Sequence, residues 1–167
     1  MSAEEHQRSE KRPDWDEYFL EVMKAVAKRA TCDRGRSGSV IVKNKRILTT
    51  GYVGAPAGLH HCDEAGHKVK SVTHEDGSVS QHCVRTSHAE ENAIIQAARH
   101  GISLDGATLY SKMVPCYTCA KMIINAGVSR VVSENDYHAS RDTKEIFKQA
   151  GVELIIVNNK TEEYPDQ

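Results

Sequence analysis

Two short clusters of metal-binding side chains constrain this chain more than anything else in it. His88-Ala89-Glu90 opens one apolar-periodic stretch, and Pro115-Cys116-Tyr117-Thr118-Cys119 opens another, with Pro115 27 positions after His88. That interval holds one helix and one strand, the path needed to bring two helix N-termini side by side. Cys116 and Cys119 are three apart, so on a first helical turn both point the same way. Helix N-termini carry unsatisfied N–H groups and positive partial charge, which favour thiolates. His88, Cys116 and Cys119 make a three-ligand zinc set, and three protein ligands leave the fourth tetrahedral position to water, the mark of a catalytic site. Glu90, two residues past His88, is the proton carrier such a water requires. Cys-x-x-Cys alone also suits a structural zinc knuckle or a redox pair, and a lone His suits a cap or a core position. The combined pattern outweighs both.

The rest of the chain reads as a frame for these clusters. Trp15, Phe19, Val22, Met23, Val26, Ala27 and Ala30 form a helical stripe after Pro13-Asp14, and this stripe is core. Ser39–Val42 and Ile47–Val53 flank the polar turn Lys43-Asn44-Lys45-Arg46 and predict a hairpin. Residues 54–87 show weak periodicity, and a connection that long is usually functional or metal-stapled. From His88 on, elements alternate: helix 88–100, strand 107–112, helix 117–126, strand 129–133, helix 140–150 and strand 152–157. This order predicts parallel pairing, to which the hairpin adds antiparallel strands. The expected fold is α/β, a three-layer α/β/α arrangement with a mixed five-stranded sheet and helices on both faces. One domain over residues 13–157 is expected, between an N-terminal tail of residues 1–12 and a C-terminal tail of residues 158–167.

Composition removes several function classes. Lys+Arg is 22 against Asp+Glu 23, so no global attraction to nucleic acid or anionic membranes is expected, and no dense basic stripe marks a polynucleotide track. No apolar run approaches the ~18 residues of a membrane helix. The polar start MSAEEHQRSEKRPDW lacks the apolar core of a secretory signal, so a cytoplasmic protein is expected. An odd count of five Cys argues against a disulfide scaffold; with nine His, clustered thiols read as metal ligands.

The H-x-E … P-C-x-x-C pair is the signature of zinc-dependent nucleobase deaminases. Trp15–Phe19, Thr31-Cys32, Gly51–Gly58, His61-Cys62 and His82–Ile94 extend the likeness over nearly the whole span from Trp15 to Val157. On these motifs the chain resembles the zinc-dependent deoxycytidylate (dCMP) deaminases of the cytidine deaminase-like family. The resemblance implies hydrolysis of dCMP to dUMP and ammonia, as a supply of pyrimidine nucleotide. It implies a homo-oligomer, a hexamer favoured, with dCTP and dTTP as effectors and Mg²⁺ accompanying the nucleotide. It also implies a second, structural zinc held by residues matching Cys32 and Cys62. His67 stands where many relatives have Cys and keeps a zinc ligand; His82 or Cys83 is the fourth. For His60, His61 and His74 no role is read.

Two stretches depart from the family pattern. Val53 stands where the family has Asn, and Ser37-Gly38-Ser39 stands where it reads Val-Gly-Ala. Val cannot hydrogen-bond a sugar, so a modified dCMP, or another nucleobase or nucleoside, is the alternative substrate. A zinc-stapled, non-catalytic nucleotide-binding regulator is the alternative of another class; Glu90 speaks against it. Val53, Ala89, Asn92, Pro115 and Tyr137 are candidate substrate contacts, and Glu91 is a weaker one. Arg34, Arg36 and Lys112 are candidate phosphate ligands, and His138 follows Tyr137 at a strand end where α/β sheets bind ligands. Arg99 is the candidate interface or effector residue.

Overall fold

A computed structural model describes residues 12–73 and 77–162. Residues 1–11, most of the expected N-terminal tail, lie outside them, as do His74 and residues 163–167.

Helix α1 (Trp15–Ala27) starts where the sequence places it, at an Asp14 N-cap. Glu17 N–H donates to Asp14 Oδ1 at 2.9 Å and Asp14 N–H to Glu17 Oε2 at 3.1 Å, a reciprocal capping box. Strands β1 (Gly38–Lys43) and β2 (Arg46–Tyr52) form the expected hairpin. Its two turn residues, Asn44 (φ 52°) and Lys45 (φ 62°), are both left-handed, as a two-residue turn matched to strand twist requires.

The segment 54–87, irregular by its sequence pattern, holds three elements. They are a one-turn helix α2 (Cys62–Ala65) and a separate antiparallel pair, β3 (Val69–Thr73) and β4 (Val79–Cys83). Every residue of β3 is exposed, so no apolar alternation announces it. Two strands alone are marginal in water; the pair is anchored by Cys83, described below.

Helix α3 (Ala89–Arg99), β5 (Thr108–Met113), α4 (Tyr117–Asn125), β6 (Arg130–Tyr137), α5 (Arg141–Ala150) and β7 (Glu153–Ile156) follow in the expected alternation. The sheet order is β2-β1-β5-β6-β7, with β1 antiparallel to both neighbours and β5, β6 and β7 parallel. Residues 158–167, a tail by composition, contribute a short strand β8 (Thr161–Glu162) that pairs with Asp136 and Tyr137 of β6. Two residues are too few for a periodic signal.

Alternation along the strands sends Ile41, Leu109 and Val131 to one face, against Ala93, Ile123 and Phe147 of α3, α4 and α5. It sends Val40, Val42, Tyr110 and Val132 to the other, against Phe19, Leu20 and Met23 of α1. Close approach of helix to sheet needs glycine at two points. A Cβ on Gly51 would lie 2.2 Å from Ala89 O and 2.4 Å from Ala93 N. One on Gly38 would lie 2.6 Å from Met23 O. Gly51 therefore seats the first turn of α3 directly on β2, and that turn carries the His88 cluster.

Candidate active site

His88 is the N-cap of α3 and Cys116 the N-cap of α4, so both helix N-termini meet beyond the ends of the sheet. His88 N–H donates to Glu91 Oε2 at 3.0 Å. Glu91 thus closes the capping box at the start of α3. Buried Pro115 holds the turn into α4.

His88 Nδ1 stands 3.5 Å from Cys116 Sγ and 3.4 Å from Cys119 Sγ. A tetrahedral zinc with Zn–S of about 2.3 Å and Zn–N of about 2.0–2.1 Å has S···N edges of about 3.5 Å. The three donors therefore stand at the spacing of a zinc tetrahedron, with one vertex left for a non-protein ligand. The Cys116 thiol is driven down to about 4 by its contact with Cys119 and by His88, against the cost of burial. Cys119, beside that thiolate and buried, is pushed up. The same thiolate raises His88 to about 9. Glu90 is 8% exposed, and burial lifts its carboxyl to about 7, only partly offset by His88. A carboxyl balanced near neutrality can both accept and return a proton there. Its Oε2 accepts from Cys119 Sγ at 3.8 Å.

A second cluster gathers Cys32, Cys62, His67 and Cys83, whose ligand atoms all lie within 4.8 Å of one another. Cys32 Sγ is 3.6 Å from His67 Nδ1, and Cys62 Sγ is 3.6 Å from Cys83 Sγ. Tetrahedral zinc edges are about 3.5 Å for S···N and about 3.8 Å for S···S, and four protein donors close the coordination sphere. Between the two residues left open by the sequence, Cys83 joins the group. His82, its neighbour on β4, instead puts Nε2 2.6 Å from Ser80 Oγ. Adjacent strand residues face opposite ways, so only one of the pair can point into the cluster. Asp33 Oδ1 lies 3.0 Å from His67 Nε2 and turns Nδ1 toward the thiols. Such an outer carboxylate fixes the tautomer of a ligand His, and no sequence motif marks Asp33 for that part. Burial pushes Cys62 up to about 12. Cys83 falls to about 6, because the Arg85 and Lys68 N–H groups and His67 outweigh its burial.

Both clusters open on one cleft of about 150 Å³. Val53, Ala89, Pro115 and Tyr137 line it, as do His82 and Arg34. Val53 is held by its N–H to Ser37 O at 3.1 Å and its carbonyl to Thr31 N–H at 3.0 Å. Tyr137 is presented by Asp136, whose Oδ1 accepts from Tyr137 N–H at 2.8 Å and Ser140 Oγ at 2.7 Å. Gln81, Thr86 and Met113 also line the cleft and had no distinguishing sequence signal. The other candidates, Glu91, Asn92, Arg36, Lys112, His138 and Arg99, do not line it. Asn92 Nδ2 donates to Tyr52 O at 2.8 Å and so pins the end of β2. Arg36 is exposed, and Lys112 is half-buried away from the lining. His138 and Arg99 are exposed, Arg99 at the opposite end of α3 from His88. His60 pairs with Glu64 at the surface, and His61 Nδ1 meets Thr31 Oγ1 at 3.0 Å.

Residues 13–135 match the family described as the cytidine and deoxycytidylate deaminase zinc-binding region. The chain belongs to this family. A deoxycytidylate deaminase of Mycobacterium phage D29 is 42% identical over 124 residues, covering 72% of this chain and 94% of that one. ComE operon protein 2 of Bacillus subtilis is 39% identical over 141 residues, covering 84% and 70%. A dCMP deaminase from the cyanophage S-TIM5, solved in complex with dCMP and dUMP, superposes with a TM-score of 0.67 at 29% identity. The alignment covers 90% of this chain and 98% of that one. As a family member the chain is a hydrolytic C–N deaminase with a zinc-binding centre. Among the described residues no helix is long and apolar enough to cross a membrane.

Proposed function

We propose that this deaminase converts deoxycytidylate to deoxyuridylate and ammonia at the His88/Cys116/Cys119 centre, with Glu90 carrying the protons. The observation that carries the reading is a buried carboxyl beside a three-donor zinc tetrahedron with one open vertex. When bound, the zinc ion acidifies a water and supplies a nucleophile at neutral pH. Glu90 takes the proton released as oxygen bonds to C4 of the pyrimidine and gives it to N3. It then delivers the water's second proton to the amine, so the C4–N bond breaks and ammonia leaves. Ala89, Pro115 and Tyr137 wall the cleft in which the base is held.

Cys32, Cys62, His67 and Cys83 hold a second, structural zinc that ties the β3–β4 pair to the β1 approach. Oligomerisation, a hexamer favoured, and control by dCTP and dTTP with Mg²⁺ come with the family resemblance; sedimentation with and without each nucleotide tests them. Val53, apolar and in the cleft wall, favours a second reading, a base-modified dCMP as substrate. Ammonia release from dCMP, 5-methyl-dCMP, deoxycytidine, cytosine and a purine nucleotide separates these. The proposal expects the highest kcat/KM for dCMP; release from none of them refutes it.

A further inference from the structure

Val53 and Ser37, the two cleft positions at which the chain departs from the family pattern, are neighbours in space. Val53 N–H donates to Ser37 O at 3.1 Å, which carries the β1–β2 pairing one residue past each strand. Gly54 and Ser87 then pair through two backbone hydrogen bonds, so this wall of the cleft runs from His88 through Val53 to Ser37. Ser37 precedes β1 in the alternation that sends Gly38 toward α1 and Ile41 toward α3. Its side chain therefore leaves the backbone on the α3 side of the sheet, the side of the catalytic centre. Ser37 is only 7% exposed, and among the described residues no group bonds its hydroxyl. A buried hydroxyl without a partner carries a desolvation cost that a bound ligand can remove.

We infer that Ser37 Oγ hydrogen-bonds the sugar hydroxyl of the substrate, and that Ser37 and Val53 are one exchange. Where the family pattern has Val and Asn, this chain has Ser and Val, so the polar group of the wall has moved from residue 53 to residue 37. The inference rests on the deoxycytidylate reading. N1 and C4 stand at opposite ends of a pyrimidine ring. A base with C4 at the open vertex beside His88 and Glu90 therefore carries its sugar away from the metal, along the cleft. The deoxyribose of a 5′-monophosphate keeps one free hydroxyl, on C3′. A serine hydroxyl can both donate to it and accept from it. Val53 offers apolar surface alone, so on this stretch of wall the polar partner is Ser37.

The test compares kcat/KM for dCMP and for 2′,3′-dideoxycytidine 5′-monophosphate, which lacks the C3′ hydroxyl, with zinc counted in each protein. The proteins are the wild type, Ser37→Ala, Ser37→Val and the double variant Ser37→Val/Val53→Asn. Calorimetric binding of dUMP and of its dideoxy counterpart gives a readout independent of turnover. A neutral hydrogen bond of this kind corresponds to about a 2- to 10-fold effect. The wild type prefers dCMP by that factor. In Ser37→Ala and Ser37→Val the dCMP/dideoxy ratio falls toward one, mostly through KM, the binding ratio falls with it, and zinc stays at the wild-type count. The double variant recovers the preference, because the Asn amide enters the same wall. An equal fall on both substrates with an unchanged ratio, or loss of zinc, makes Ser37 structural and overturns the inference. A double variant whose ratio stays near one overturns the exchange. A wild type that treats the two nucleotides alike overturns the inference and leaves the deaminase chemistry standing. A wild type inert toward both overturns the deoxycytidylate reading and the inference with it.

Discussion

Replacing Gly51 by alanine tests how the sheet positions the catalytic helix. Ordinary reasoning favours alanine in a strand, by about 0.5–1 kcal/mol over glycine. Here the added Cβ would meet Ala89 O at 2.2 Å and Ala93 N at 2.4 Å. Carbon–oxygen contacts settle near 3.3 Å, so the first turn of α3 must retreat by about 1 Å. Both struck atoms are backbone of a helix packed on two strands and cannot swing aside. Overpacking of this kind costs about 1–3 kcal/mol, which outweighs the alanine preference. With a urea slope of about 2 kcal/mol/M, the unfolding midpoint falls by about 1 M. The same retreat carries His88 and Glu90, and a 1 Å misplacement costs about 100-fold in rate. Urea titration followed by Trp15 fluorescence, with kcat on dCMP, reads both effects. Gly38→Ala strikes α1 instead, at Met23 O. It should lose similar stability while kcat changes far less. A Gly51→Ala protein as stable as wild type, or more so, with kcat intact would refute the reasoning.

Cys83→Ser should lower bound zinc by one per chain, whereas His82→Ala keeps the full count; elemental analysis decides between the neighbours. Asp33→Asn should weaken that site about 10- to 100-fold without removing a ligand, measured by competition with a chelator. Asp16 accepts from Arg130 Nη1 at 2.9 Å and Nη2 at 2.7 Å, and Arg130 holds its carboxyl below the usual value of 3.8. Its folded pKa being depressed, the stability it contributes is present above pH 3.8 and is lost as pH falls through the lower folded value. Asp16→Asn should cost about 1 kcal/mol at neutral pH and flatten the acid limb of a stability–pH curve. An unchanged acid limb would remove the α1–β6 ion pair from the stability account.

The parts of the fold legible in the sequence were those that bury apolar stripes. The stripe from Trp15 to Ala27 and the alternation after His88 each pack one face, so their periodicity survives in one dimension. Strand β3 was illegible because all five of its residues face solvent, its order coming from Cys83 opposite Val69 rather than from packing. The His88, Cys116 and Cys119 trio is legible because two helix starts encode it at fixed short spacings. The choice of Cys83 over His82 was not, since it depends on which face of β4 turns inward. That Arg34 lines the cleft while Arg36 and Lys112 do not likewise depends on the turn that brings residues 33–35 against Gln81. The bond from the Asn92 amide to Tyr52 O joins residues 40 apart in the chain, a pairing that no local pattern announces.

If Glu90 moves protons in a centre whose metal ligands are other residues, loss of its basicity must stop turnover and spare the metal. Glu90→Gln keeps the shape of the side chain and removes its ability to accept a proton. Zinc content and dUMP formation from dCMP, measured on the same purified sample, test the claim directly. Wild-type zinc with turnover reduced at least about 100-fold is expected. A variant that keeps its zinc and turns over at a rate near wild type would contradict it.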